Sequence, residues 1–129
     1  MSEPIHQEVV VASSPARVYA ALTDAAEFSK MTGGAPTEID PNPGGAFSCF
    51  GGMIAGRNVE CAPGERLVQA WRVKTWPPGL YSIVRFDLRP DGAATRVVMD
   101  HSGFPAEQRE HLAKGWHANY WEALCKLLA

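Results

Sequence analysis

The alternation of apolar and polar residues predicts a strand and two short helices at the start of the chain. Residues 5–12 are rich in Val and alternate loosely, which is typical of a β-strand. Ser14 and Pro15 follow as an N-cap and a first-turn proline, so a helix is predicted there. Asp24 provides a second cap before a shorter helix over residues 25–31.

The sequence pattern in the middle of the chain predicts an antiparallel meander of strands. Short runs of Val, Ile, Phe and Trp are separated by Gly- and Pro-rich turn clusters every eight to fifteen residues. Short connections favour hairpins, and therefore neighbouring antiparallel strands. The predicted strands are 36–40, 45–50, 54–61, 66–74, 80–89 and 94–101.

The last segment has helical periodicity. It begins near Pro105 and continues for about 24 residues, or ~36 Å at ~1.5 Å per residue. Its apolar residues recur at helical spacing: Leu112, Trp116, Tyr120, Ala123, Leu124 and Leu127. The predicted order is therefore β-α-α-β6-α, an α+β fold in which one long helix covers the face of a twisted sheet.

Composition narrows the class of protein without naming an activity. The chain has 129 residues, 46% hydrophobic and 20% charged, which predicts one soluble globular domain over residues 1–129. Twelve Lys and Arg against fourteen Asp and Glu give a net charge of −2, so we expect no nucleic-acid partner. No apolar run approaches the ~18 residues of a membrane span, and no secretory signal is present. Together with three widely spaced cysteines, these features predict a cytoplasmic protein that does not bind membranes.

The sequence contains no established catalytic or metal-binding motif. It lacks HExxH, CxxC, a phosphate-binding glycine loop and the GxSxG elbow, so we predict no metal, no cofactor and no catalytic residue, and no enzyme assignment follows. His101 ends a predicted strand, at the rim of any internal space. It is either a general base or a structural residue that bonds a loop carbonyl.

An ordered set of short motifs carries a family resemblance over almost the whole chain. It starts at Ser14–Asp24 (SPARVYAALTD), continues through Gly44-Gly45-Ala46-Phe47, Gly56-x-x-Val59-Glu60 and Pro63-x-Glu65-Arg66-Leu67-Val68-x-x-Trp71, and ends with Thr95-Arg96-Val97, His101-Ser102-Gly103-Phe104, Gly115-Trp116 and Tyr120-Trp121. This set resembles the activator of heat-shock-protein-90 ATPase homologue family, a branch of the START-like, birch-pollen-allergen-like superfamily. One departure is that the family commonly has Trp near the end of its second helix, where this chain has residues 28–32 (FSKMT).

The resemblance implies a helix-grip fold with a six- to seven-stranded sheet. Such folds often leave a cavity between sheet and long helix, so the inward aromatic residues are either ordinary core or the wall of a ligand site. Trp71, His101 and Tyr120 would supply polar groups to orient a ligand. The predicted ligand-binding residues are Met31, Phe47, Trp71, Phe86, Met99, His101, Trp116 and Tyr120.

Three functions are compatible with this interpretation. The first is a binding domain for a small hydrophobic or amphipathic ligand. The second, implied by relatives of the fold, is a polyketide cyclase or aromatase-like enzyme with His101 near the cavity. The third is a protein-interaction or stress-response module that contacts a chaperone or a second copy, with Trp76 and Trp121 as exposed anchors. The co-chaperone that gives the family its name has a separate docking domain that 129 residues do not accommodate, so its name does not define the function.

Overall fold

A seven-stranded antiparallel sheet packs one face against the C-terminal helix in the computed structural model, which describes residues 3–128. The ends of the predicted domain, Met1, Ser2 and Ala129, lie outside the described residues. The strand order across the sheet is β1-β7-β6-β5-β4-β3-β2. The strands are β1 (Ile5–Val11), β2 (Glu38–Ile39), β3 (Ala46–Cys49), β4 (Ile54–Ala62), β5 (Arg66–Val73), β6 (Ser82–Asp91) and β7 (Ala94–Ser102).

Two short helices follow β1, and one longer helix ends the chain. The short helices are α1 (Pro15–Thr23) and α2 (Ala25–Met31). Their first turns are capped as the sequence predicts, because Ser14 Oγ accepts from Arg17 N at 3.3 Å and Asp24 Oδ1 from Glu27 N at 3.1 Å. The C-terminal helix consists of α3 (Arg109–Gly115), a π-helical segment (Trp116–Trp121) and α4 (Glu122–Leu127), and single 3₁₀ turns lie at Phe50–Gly52 and Ala106–Gln108.

The predicted α+β helix-grip architecture and its element order are confirmed, and the differences are local. β2 has two residues where five were predicted; it is the edge strand, and Pro36 has no amide hydrogen to donate to a ladder. The turn left between the strands predicted at 80–89 and 94–101 is two residues shorter than expected. Pro90 and Asp91 pair with β7, and Gly92, at φ 61°, begins the turn.

A buried polar pair ties the sheet to the loop before β3. Asn58 is fully buried in β4, next to an irregularity in the pairing of β4 with β5. Its Oδ1 accepts from Gln69 Nε2 at 3.1 Å, and its Nδ2 donates to the Asp40 carbonyl at 2.8 Å. Because these side-chain amides bond each other and the backbone, the loop is fixed over the inner face of the sheet without leaving those groups unpaired.

No helix formed by residues 3–128 has both the length and the apolar character to cross a membrane.

Gly56 lets β4 approach its neighbours on the inner face, where it pairs with Trp71 on one side and Phe47 on the other. A Cβ at this position would overlap the Ala70 carbonyl and lie 3.0 Å from the Phe47 ring. We expect Gly56→Ala to lower the free energy of unfolding by roughly 2–3 kcal/mol, measured by urea denaturation, because backbone must move.

The matched control is Gly115→Ala in α3, where the added Cβ meets nothing closer than Asn119 Nδ2 at 3.6 Å. This change should raise the free energy of unfolding by about 0.5–1 kcal/mol through helix propensity. Equal effects at the two glycines would contradict the close approach of β4 and β5.

Candidate functional site

A cavity of about 360 Å³ lies between the C-terminal helix and the end of the sheet formed by β4 and β5. Its wall is mostly apolar and aromatic, and its polar groups come from the helix and from the loops beside it. The lining residues are Phe50, Met53, Ile54, Trp71, Val73, Thr75, Gln108, His111, Leu112, Gly115, Trp116, Asn119 and Tyr120.

The π-helical segment supplies the aromatic wall. At its end the amide of Glu122 donates to the carbonyl of His117, five residues earlier, so the turn is wider than an α-helical turn. The wider turn buries Trp116, Tyr120 and Trp121 together, although Tyr120 and Trp121 are adjacent in sequence. As a result, the rings of Trp116 and Trp121 stack with centroids 5.7 Å apart.

A buried relay of hydrogen bonds fixes Trp116 against the sheet. Trp116 Nε1 donates to His101 Nδ1 at 3.1 Å, and His101 Nε2 lies 2.7 Å from Ser82 Oγ. An indole nitrogen can only donate, so Nδ1 is the acceptor and Nε2 carries the hydrogen. Ser82 Oγ then accepts from Nε2 and donates to the carbonyl of Trp71 at 3.1 Å.

The relay requires His101 to be neutral. The residue is fully buried, and burial lowers its pKa to about 3. The rim position predicted for His101 is therefore wrong: the ring is enclosed, contacts Trp71 with centroids 4.9 Å apart, and is not among the residues that line the cavity. With both nitrogens engaged, His101 positions Trp116 and is not available as a proton acceptor near neutral pH.

A second clamp joins the C-terminal helix to β1. Trp121 Nε1 donates to Gln7 Oε1 at 2.6 Å, and Gln7 Nε2 donates to the Ala113 carbonyl at 3.1 Å. One glutamine thereby holds both the helical turn before the π segment and the tryptophan at its end. The cavity wall is fixed from both edges of the segment.

Trp71 carries an unused donor in the wall of the cavity. Its side chain is 2% exposed, and its indole N–H makes no hydrogen bond of full geometry among residues 3–128, although it lies close enough to the Tyr120 hydroxyl to lower the pKa of that group. Leaving a buried donor unpaired costs ~1–3 kcal/mol. Tyr120 is also in the wall, and burial, with a smaller contribution from Cys49, raises the pKa of its hydroxyl, which is therefore neutral.

The exposed-anchor prediction for two tryptophans is wrong. Trp76 is 5% exposed and Trp121 is 3% exposed, so neither is a surface contact. Trp76 packs edge-on against Trp71 at 5.8 Å between centroids, and Trp121 turns inward because of the π segment.

Six of the eight predicted ligand-binding residues line three different spaces, and two line none of them. Trp71, Trp116 and Tyr120 line the 360 Å³ cavity. Phe47 and Phe86 border a void of about 10 Å³, which is filled core, and Met31 lies in an open groove between α2 and the C-terminal helix. Met99 and His101 are fully buried and lie in none of these spaces.

Residues that were not predicted from the sequence shape the near side of the cavity. Phe50 and Met53 come from the turn between β3 and β4, Ile54 begins β4, and Gly115 and Asn119 come from the helix. Gly115 could have indicated this wall from the sequence, because a glycine inside an amphipathic helix lowers helix stability and needs a packing or functional reason.

Metal and thiolate chemistry have little support among the described residues. Residues 3–128 contain no cluster of three or more His, Cys, Asp or Glu that could hold a metal ion. The three cysteines are free, and burial raises the pKa of each thiol, in the case of Cys49 to about 12. Reactive cysteines require the opposite shift.

The comparisons with known proteins agree on one family and one fold. The model of the family described as "Activator of Hsp90 ATPase homolog 1-like protein" matches residues 12–129. The human activator of 90 kDa heat shock protein ATPase homolog 1 is 27% identical over 112 residues, which is 87% of this chain and 33% of that protein. The chain thus spans about a third of the length of this curated relative.

Two solved structures share the fold. An HSP90 activator from Plasmodium falciparum has a TM-score of 0.88 at 24% identity, with 92% of this chain and 91% of that chain covered. The Aha1 dimer from Colwellia psychrerythraea has a TM-score of 0.82 at 16% identity, with 98% of this chain and 96% of that chain covered.

The low pKa of His101 predicts acid sensitivity of the fold. Its folded pKa of about 3 lies below the ordinary 6.5, so the unfolded state binds a proton that the native state does not. Stability from this residue is complete above pH 6.5 and falls as the pH drops toward 3. From pH 6 to 5 the wild type should lose up to about 1.4 kcal/mol more per pH unit than His101→Gln in urea denaturation.

The control for this measurement is Val59→Gln, which places the same side chain at an exposed position without a titratable group and should leave the pH slope unchanged. His6 contributes the opposite sign, because hydrogen bonds to Asp100 and Glu8 raise its pKa, but it is present in all three proteins and cancels from the differences. Parallel slopes for wild type and His101→Gln would show that His101 takes up a proton in the native state.

Proposed function

The chain belongs to the activator of Hsp90 ATPase homolog 1-like family, and from that premise we propose that it binds a small hydrophobic or amphipathic molecule between its sheet and its C-terminal helix. The observation that carries the proposal is the aromatic cavity of about 360 Å³ beside an otherwise filled core. Ligand sites typically occupy ~300–1,000 Å³, with apolar walls and a few polar groups. The proposed site matches that description in size and lining.

Gly115 supports a cavity that is kept open. Its φ of −62° and ψ of −37° are ordinary helical values that any residue adopts, so glycine is not needed for the backbone. Glycine in a helix costs ~1 kcal/mol relative to alanine. Because Gly115 forms part of the wall, a larger side chain there would occupy the space. Retaining the open volume at the expense of helix stability is the pattern expected of a binding site.

Polar groups near the cavity indicate how a ligand would be oriented. The unpaired indole N–H of Trp71 favours a ligand that carries an oxygen acceptor, such as a carbonyl, ether or hydroxyl group. Exposed His111 and Asn119 and half-buried Gln108 line the same space from the helix side and would meet the polar end of the molecule. Binding without catalysis is favoured because His101, the candidate base, is enclosed and neutral.

Filling the cavity tests this function. Gly115→Leu places a branched side chain at the wall, and we expect it to weaken binding of every cavity ligand at least tenfold while the fold is retained. The measurement is a titration with aromatic carbonyl compounds and alkyl amphiphiles, followed by the indole resonances of Trp71 and Trp116 in NMR spectra.

The matched control is His117→Leu, which places the same side chain on an exposed part of the same helix outside the cavity and the groove. It should leave affinities for the cavity within twofold of the wild type. If no compound shifts the indole resonances in the wild type, or if both leucine variants bind equally well, the cavity is not a ligand site.

A second candidate function is contact with the 90 kDa heat shock chaperone, and the outer face of the sheet favours it. We define the outer patch as Arg57, Ala70, Arg72, Tyr81 and Ile83. Pairing places Arg57, Ala70 and Ile83 in one row across β4, β5 and β6. Tyr81 and Ile83 are 49% and 45% exposed, and the Arg72 guanidinium lies 5.8 Å from the centroid of the Tyr81 ring.

The charge of the outer patch is not neutralised by neighbouring carboxylates. Arg57 donates to the Gly44 carbonyl at 2.9 Å and Arg72 to the Trp76 carbonyl at 2.7 Å, and neither forms an ion pair within residues 3–128. By contrast, Arg66 and Arg85 both pair with Asp87 at 2.7–2.8 Å. Arg and Tyr are enriched at protein interfaces, so the patch fits an acidic, partly apolar segment of a partner.

Charge reversal tests the second function. The double variant Arg57→Glu, Arg72→Glu should weaken binding to the purified chaperone at least tenfold in calorimetry, more so at low salt. Arg89→Glu, an exposed arginine further along β6, is the control and should bind as the wild type. If the double variant binds the chaperone as the wild type does, the outer patch is not the chaperone contact. If the double variant loses self-association in sedimentation instead, the outer patch contacts a second copy.

A further inference from the structure

The 360 Å³ cavity has a neighbour on the other side of Phe50. An open groove of about 750 Å³ runs between α2 and the C-terminal helix. Phe50 and Asn119 line both spaces, so the side chains of these two residues separate them. The groove contributes apolar surface from Met31, Ala123 and Leu127.

Phe50 occupies a backbone conformation that L-residues avoid. Its φ of 54° makes it the one non-glycine residue with positive φ among residues 3–128. Gly51 and Gly52 follow at φ 67° and 92°, so the turn has three successive residues with positive φ. Asparagine or glycine would fit here at lower cost. Phenylalanine therefore occupies this position although its backbone conformation is unfavourable for an aromatic residue.

The ring is held by apolar contacts. Its centroid lies 5.6 Å from that of Phe28 in α2 and 5.6 Å from that of Tyr120 in the C-terminal helix. Phe50 is half-buried, so it closes the gap between the two helices without being enclosed in the core. Contacts of this kind have no fixed direction, and an apolar chain that displaces the ring can replace them.

The groove differs from the cavity in charge. Its lining includes the ammonium groups of Lys30 and Lys126 against the single carboxylate of Glu122. Lys30 already pairs with Glu27 at 3.6 Å, whereas Lys126 has no ion pair within the described part of the chain. The mouth of the groove thus offers one free cation beside apolar surface.

We propose that the cavity and the groove are two compartments of one binding site, and that Phe50 is the partition between them. The molecule that fills both is an elongated amphiphile with an acidic head group. The head group lies near Lys126, and the alkyl chain passes Phe50 into the aromatic cavity. This inference rests on the proposed ligand-binding function and adds the class of ligand and the residue that selects its length.

Chain length is the variable that tests the partition. The probes are straight-chain carboxylates from octanoate to tetradecanoate, used below their critical micelle concentrations and titrated by tryptophan fluorescence. In the wild type, affinity should rise about fourfold for each buried methylene. Phe50→Gly removes the ring, and glycine adopts the positive φ without steric cost. This variant should raise the ratio of tetradecanoate to octanoate affinity at least tenfold.

Two further variants keep the test independent of folding. Phe50→Leu should raise the same ratio by less than Phe50→Gly, and Phe50→Trp should lower it. Val59→Ala is the control, because exposed Val59 lines neither the cavity nor the groove, and it should leave both affinities unchanged. A ratio that stays constant across the Phe50 series overturns the partition.

The head group is tested separately with decanoate and 1-decanol. Lys126→Gln should weaken decanoate binding roughly fivefold at low salt and leave decanol unaffected. Lys114→Gln, on the same helix outside the groove, should change neither. Equal effects of Lys126→Gln on both probes overturn the acidic head group.

Different results would contradict the ligand-binding function and the joining of cavity and groove into one site. If aromatic compounds bind and Gly115→Leu blocks them, but no alkyl carboxylate binds, the ligand-binding function stands and the joined site is wrong. If no probe of any class binds, the ligand-binding function itself is wrong.

Discussion

The structure depends on a buried hydrogen-bond relay that joins the C-terminal helix to three adjacent strands. It runs from Trp116 through His101 in β7 and Ser82 in β6 to the Trp71 carbonyl in β5. Each member has one role available, because the indole must donate and the carbonyl must accept. The direction of the chain is thereby fixed, and the imidazole is locked in one neutral tautomer. The cost of burying these polar groups is offset because each has a partner.

Local patterns were sufficient to predict the architecture. Alternation in β1, the caps at Ser14 and Asp24 and the helical spacing from Leu112 to Leu127 predicted the element order, which depends only on neighbours along the chain. The site was predicted less completely. Trp71, Trp116 and Tyr120 line the cavity as expected, but Phe50 and Gly115 were missed because their roles depend on which elements face each other. Trp121 was misplaced because a regular helix would have turned it outward.

Stability and open volume oppose each other in this scaffold. The inner face is filled next to Phe47 and Phe86, where the remaining void is about 10 Å³. Next to this region the inner face is not filled. Helical Gly115, Phe50 with its positive φ and the unpaired indole N–H of Trp71 all lie around the 360 Å³ cavity. Each lowers stability on its own, and their coincidence follows if that space is used. The family membership describes the scaffold, while these local departures describe the site.

The π-helical segment also divides the C-terminal helix into two halves whose inward-facing residues follow different helical phases. Within α3, residues spaced by three and four positions face the cavity, as Leu112 and Gly115 do. After the wide turn the phase of the helix is offset, and α4 directs Leu124 into the core while Ala123 and Leu127 face the groove. Substitutions in α3 therefore alter the cavity wall, and substitutions in α4 alter the groove. One continuous stretch of sequence can vary the entrance of the cavity independently of the groove that lies beside it.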